Sequence, residues 1–159
     1  MKIGVVSDTH GNIPNTERAI EILKEQQVEA VLHCGDICGI EIVPLFADWP
    51  THFVTGNCDN PELMKSTVES AGQFWHGMFG DFTIGKRLIA LLHSHESGRL
   101  EKTANAGIYD LVCYGHTHVN EQHRVGETLV LNPGALHRAN PHTIAIVDLE
   151  TMVAEHIAL

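Results

Sequence analysis

Basic residues are scarce in this sequence. Ten Lys and Arg stand against 20 Asp and Glu, a formal net charge of −10. Nothing clusters into the cationic face that binding to a phosphate backbone requires, so a nucleic-acid-binding surface is not expected. Carboxylates that bind divalent cations would cancel part of that charge, so a phosphorylated substrate stays compatible with it. Cysteine is scarce too. Cys34, Cys38, Cys58 and Cys113 are too few for a disulfide scaffold and lack the paired spacing of a zinc ribbon. In an intracellular chain they read as free thiols. Long apolar runs are missing: none reaches the roughly 20 residues of a membrane span. The opening "MKIGVVSD" meets an acid at Asp8 before a secretory apolar core of about 7–15 residues could form. The expectation is a soluble, cytoplasmic chain. With no repeat, linker or low-complexity segment, residues 1–159 read as one domain, large enough to bury about 70% of its unfolded surface.

Histidine is what the chain has in excess: 12 residues, more than Lys and Arg together. Imidazole is the commonest protein metal ligand, so the positions of these residues matter. "KIGVVSD" reads as a buried strand ending at Asp8, followed by a helix over "NIPNTERAIEILKEQQ". Pro14 suits that helix's first turn, and Ala19, Ile20 and Leu23 share one face. "EAVLHCGD" is a second strand, ending at Asp36, and "GIEIVPLFADW" looks helical despite Pro44. "THFVTGN" is a third strand, ending at Asn57, and "NPELMKS" opens a helix with an Asn cap and a first-turn Pro. From residue 70 the texture changes. "QFWHGMFGDFTIGKRLIALLHSH" suggests hairpin strands broken by Gly77, Gly80 and Gly85. "SGRLEKTANAG" suggests a short helix capped by Ser97 and stopped at Gly107. "DLVCYG" is a strand, and two hairpins follow, turning at Gly126 and near Glu150-Thr151. A parallel βαβ first half and an antiparallel-rich second half fit two sheets with helices outside.

The polar residues of interest recur at one kind of place. Asp8 and His10 follow strand one, Asp36 strand two and Asn57 strand three; His93 closes "LIALLH", and His116 and His118 close "DLVCY". In open α/β sheets, ligands bind outside the carboxyl ends of strands. Each block alone has an ordinary reading as a cap, a turn or an exposed loop histidine. Five strand ends that all carry a donor do not. Seven ligands exceed the needs of one tetrahedral zinc and suit two metals sharing a carboxylate. Imidazole mixed with carboxylate and amide oxygen favours Mn, Fe, Zn, Co or Ni over Ca or Mg. Two such ions about 3.5–4 Å apart are the arrangement of phosphatases and nucleases.

In order, "SDTHGN", "HCGDI", "TGNCDN", "LLHSH", "YGHTH" and "NPGA" resemble the signature of the calcineurin-like metallophosphoesterase superfamily. The likeness is to its small phosphodiesterase group, which is related to a retromer subunit of the same fold. It implies a four-layer α/β/β/α sandwich of two mixed sheets flanked by helices. It also implies that Asp8, His10 and His118 hold one metal, that Asn57, His93 and His116 hold a second, and that Asp36 bridges. Two divalent ions, Mn first and Fe, Zn, Ni or Co as alternatives, would then present a bridging hydroxide to a phosphodiester. Asp36, Asn57 and His116 are thereby the catalytic candidates. Asn57, Cys58 and Arg138 are the candidates for meeting a small or nucleotide-like phosphoester, although His137 and Arg138 also read as an exposed loop pair.

Three departures from the usual pattern stand out. Cys58 and Asp59 replace the histidine and acid of "GNHE". Ser94 replaces the glycine of "HGH", which leaves His95 as an alternative ligand to His93, and "NPGA" replaces "NPGS". His33 reads as a satisfied core group beside the site. His52, His76, His123, His142 and His156 have no partner spacing. Two functions remain in view: a phosphodiesterase, and a non-catalytic metal-binding scaffold that works through protein partners. Homo-oligomerisation through an aromatic surface is compatible with the composition.

Overall fold

The computed structural model describes residues 1–159. Apolar β-branched runs make the first strands: β1 (Lys2–Val6), β2 (Ala30–His33), β3 (Thr51–Phe53) and β4 (Phe74–Trp75). They lie parallel in that order, with Ile3 opposite Ala30 and Val31 opposite Thr51. Parallel neighbours need crossover connections. These are α1 (Ile13–Glu25), the segment Ile40–Phe46 and α2 (Pro61–Ser70). Asn12 and Asn60 cap the two α-helices, each accepting a hydrogen bond from the backbone three residues on. The middle crossover is a 3-10 helix with Pro44 inside it. Proline removes a backbone donor and crowds the preceding turn, which accounts for the tighter coil.

The second sheet is built from β5 (Phe79–Ile84), β6 (Arg87–Leu92), β7 (Leu111–Cys113), β8 (Asn120–Val125) and β9 (Thr128–Pro133), with α3 (Arg99–Ala104) between β6 and β7. Its order is β5-β6-β7-β9-β8, with β6, β7 and β9 parallel. The final hairpin, β10 (Thr143–Asp148) and β11 (Val153–Ala158), returns to the first sheet, whose order is β11-β10-β1-β2-β3-β4. Two sequence expectations change here. Phe74–Trp75 pairs in parallel with β3 and is not part of a hairpin with the strands after it. The cap of α3 is Gly98 at φ 77°, without a side-chain hydrogen bond, and not Ser97; a left-handed residue is where glycine has no Cβ penalty.

Three apolar clusters define four layers. Ile3, Leu32, Leu91, Leu111 and Leu131 fill the space between the sheets. Ala19, Leu23, Phe46, Phe53 and Val68 seal the crossover helices on the first sheet. Ala104 packs with Leu92, Val112 and Tyr114 on the outer face of the second. No helix is long and apolar enough to cross a membrane.

Candidate metal centre

Because β1, β2 and β3 run parallel and adjacent, the loops that leave them lie side by side. Backbone bonds lock two of them together: Asp8 N–H to Gly35 O at 3.0 Å, His10 N–H to Asp36 O at 3.0 Å and Gly11 N–H to Ile37 O at 2.9 Å. His33 fastens the same loops from beneath. Its Nδ1 accepts from Gly35 N–H at 3.2 Å, so Nε2 carries the proton and donates to Thr9 Oγ1 at 3.1 Å. Burial first, then the charge of His93, lowers its pKa to about 3. It is a neutral structural imidazole, as its place inside β2 suggested.

The two aspartates share one design. In Asp8, Oδ2 accepts the Ser7 hydroxyl and the His116 N–H at 3.1 Å. Its other oxygen, Oδ1, faces His118 Nε2 at 3.2 Å and His10 Nε2 at 3.8 Å. In Asp36, Oδ1 accepts Cys58 N–H at 2.9 Å, while Oδ2 faces His93 Nε2 at 3.3 Å and His10 Nε2 at 3.4 Å. Burial alone would raise the Asp36 carboxyl; the His93 contact, the Cys58 N–H and the charges of His93 and His10 outweigh it and hold the group ionised. One oxygen of each carboxylate is thus anchored to the backbone, and the other points inward.

Three of the inward atoms, Asp8 Oδ1, His10 Nε2 and His93 Nε2, are buried without a hydrogen-bond partner. Buried polar atoms are normally paired. His93 donates through Nδ1 to Cys34 O at 2.8 Å, which leaves the lone pair of the neutral ring on Nε2. Carboxylate oxygens and imidazole nitrogens that face one another across a few ångströms, buried and without other partners, fit divalent cations. Two such groups, Asp8 with His10 and His118, and Asp8 with Asp36 and His93, each keep their ligand atoms within 4.8 Å of one another.

The backbone records the cost of this arrangement. Asp8, His10, Asp36, His116 and His118 all adopt positive φ, between 43° and 76°. Such conformations cost side chains other than glycine about 1–3 kcal/mol each and tend to mark functional sites. Ser94 also sits there, at φ 71°, and donates to Gly115 O at 3.1 Å. The turn that glycine usually makes therefore forms with serine. His93 keeps its inward position, fully covered, while the His95 ring lies 5.5 Å away and partly exposed. Two glycines make room. A Cβ on Gly56 would overlap Asp36, and one on Gly115 would overlap Ser7 Oγ and crowd Asp8.

The other candidates lie at the rim. His116 is exposed, its ring 5.1 Å from that of His93. Asn57 and Cys58 are exposed, with Asn57 Nδ2 3.5 Å from Cys58 Sγ. Arg138 is exposed, and beside it the His137 ring lies 5.2 Å from His10. Sequence reasoning missed Cys38. Its Sγ is 3.4 Å from His10 Nδ1, and Asp59 holds its backbone N–H at 2.8 Å. Desolvation and the nearby carboxylates raise both the Cys38 and the Cys58 thiol; neither is a poised nucleophile. The signal was the adjacency of β2 and β3, which no spacing along the chain records.

A sandwich of two mixed sheets, with buried carboxylates and imidazoles converging at strand ends, defines a class of metal-centred phosphoesterase folds. Residues 1–152 match the calcineurin-like phosphoesterase superfamily domain, and the chain belongs to that superfamily. It is 33% identical to phosphodiesterase MJ0936 of Methanocaldococcus jannaschii, over all of this chain and 99% of the relative. The solved structure of an archaeal phosphodiesterase superposes over the whole of both chains with a TM-score of 0.91 at 33% identity. Vps29 of Entamoeba histolytica, solved with zinc, shares the fold over 99% of each chain, with a TM-score of 0.70 at 20% identity.

Proposed function

We propose that this protein is a divalent-metal-dependent phosphodiesterase acting on a small or nucleotide-like phosphoester at a binuclear centre. Asp8, His10 and His118 would hold one cation, Asn57, His93 and His116 the other, and Asp36 would bridge, with Mn favoured. The observation that carries the reading is Asp36 Oδ2, set between His10 Nε2 and His93 Nε2 while both nitrogens lack other partners. When bound, a cation pair supplies an activated water at neutral pH and neutralises charge growing on the phosphoryl oxygens.

The chain's own residues prepare that chemistry. Cys34 O fixes the tautomer of His93, and Ser7 and the His116 N–H fix the rotation of Asp8. The Cys58 N–H does the same for Asp36. Ligands held this way need no reorganisation before reaction. Asn57, Cys58 and Arg138 stand at the rim, where a substrate phosphate would enter. No Lys or Arg adjoins the ligand blocks in sequence, which favours a diester monoanion over a monoester dianion.

The test is hydrolysis of bis-p-nitrophenyl phosphate with added Mn²⁺, alongside elemental analysis of chelator-free protein. About two metals per chain are expected. Asp36→Ala and His116→Ala should each abolish turnover with the far-ultraviolet spectrum retained; full activity in either variant overturns the assignment. One feature favours a second reading as a binding scaffold: Cys58 follows Asn57 where the "GNHE" pattern of the superfamily signature would place a histidine. If metal-loaded protein hydrolysed nothing in a broad phosphoester panel, that reading would prevail.

A further inference from the structure

Beside the metal centre, Cys38 Sγ, Cys58 Sγ and His10 Nδ1 lie within 4.8 Å of one another. The sulfurs come from the loops after β2 and β3. The imidazole is the same ring whose Nε2 faces Asp8 and Asp36. Two thiols and a ring nitrogen at this spacing form a soft donor set, unlike the oxygen and imidazole donors next to it. The Asp36 and Asp59 carboxylates border it, Asp59 through the Cys38 N–H, so the local charge favours a cation. A cavity of 340 Å³, with Ile40, Glu41, Leu63 and Met64 among its walls, reaches both thiols from solvent. The remaining cysteines, Cys34 and Cys113, are wholly buried.

We propose that Cys38, Cys58 and His10 Nδ1 form a separate site for one thiophilic cation, such as Zn²⁺ or Cd²⁺, and that its occupation excludes the cation held by His10 Nε2. A neutral imidazole has one lone pair and one N–H. With Nδ1 donating to Cys38, the lone pair sits on Nε2 and serves the metal centre. When the thiophilic ion binds, each thiol releases its proton to solvent as sulfur coordinates. His10 then turns its lone pair to Nδ1, and its proton moves to Nε2. Asp8 and His118 are left without their third partner. The site thus takes a soft metal as a competitor of the catalytic one, and the competition rests on the binuclear reading above.

Cadmium tests both parts, because thiolate-to-cadmium charge transfer absorbs in the ultraviolet and coordination by oxygen or imidazole alone does not produce that band. Titrating metal-free protein with Cd²⁺ should raise the band to saturation at one thiolate-bound ion per chain. Cys38→Ser/Cys58→Ser should abolish it, and either single substitution should weaken it; since both side chains are exposed, the single variants serve if the double fails to fold. Preloading with Mn²⁺ should raise the half-saturating Cd²⁺ concentration in proportion to the Mn²⁺ added, as mass action requires. No band in the natural protein, or a band that survives the double substitution, overturns the site. A titration indifferent to Mn²⁺ overturns the competition. Hydrolysis plays no part in the readout, so the phosphodiesterase assignment stands or falls separately.

Discussion

Two groups of histidines in this molecule are both tightly packed, and they do opposite things. In the first, His10, His93 and His118 point their Nε2 atoms at carboxylate oxygens. In the second, at the edge of the sandwich, His52 stacks on Phe82 at 4.1 Å, on Phe74 at 4.5 Å and on His76 at 5.1 Å. His52 Nδ1 and His76 Nε2 satisfy each other at 2.8 Å. Burial, then the His76 charge, takes His52 down to about 4, and burial lowers His76; both are neutral at pH 7 and act as flat apolar surface. An abundance of histidine therefore points to metal only where an acid faces the ring and a nitrogen is left over.

The largest way to break that contrast is Gly56→Ala, which forces a methyl against Asp36 without replacing any candidate ligand. Metal affinity or turnover should fall about 10–100-fold, as when supports of ligands are lost; unchanged metal content and rate would mean the carboxylate has room to move. Chelation comes next. Mn²⁺ at about 100 times its dissociation constant should stabilise the protein by about 2.7 kcal/mol over the chelated form in thermal melts. His52→Phe should show the same increment. An absent increment would mean the first group is packing too.

His33 sharpens the comparison from a third side, being buried, satisfied and close to the acids. Burial, then the charge of His93, holds its folded pKa at about 3, below the 6.5 of an ordinary imidazole. As pH falls, the unfolded chain takes up the proton first. Its stabilising contribution is complete above pH 6.5 and is lost progressively toward pH 3, by up to about 1.4 kcal/mol per pH unit. Urea midpoints of metal-free protein at pH 7 and pH 5 should therefore differ less in His33→Asn than in the natural chain. The smallest effect is expected from His52→Phe, which keeps the aromatic stack: turnover unchanged and stability within about 1 kcal/mol.

The strand ends were readable because each apolar run stops at a polar residue, and Asp8, Asp36, Asn57, His93 and His116 mark those stops. The first-turn prolines of α1 and α2, Pro14 and Pro61, and the Asn60 cap of α2 were readable for the same local reason. What local pattern does not encode went unread. The positive φ of five candidate ligands is imposed by the loops around them. The parallel seat of Phe74–Trp75 depends on β3 offering a free edge. The proximity of Cys38 and Cys58, 20 positions apart, follows from β2 lying beside β3. The resemblance to the superfamily carried the candidate ligand set; the burial and missing partners of Asp8 Oδ1, His10 Nε2 and His93 Nε2 are features the sequence alone does not display.

The return of the last hairpin to the first sheet has a consequence for how the chain is made. β1 leaves the ribosome well over a hundred residues before β10, yet one of its edges is closed only by that strand, with Gly4 opposite Ile146. Until Thr143–Asp148 emerges, an apolar strand at the heart of the molecule has an open side that other chains can join. Contacts so distant in sequence also form slowly. A nascent chain that stalls before residue 143 would carry all seven candidate ligands on a sheet still able to pair with a stranger, and chaperone cover is most needed over that interval.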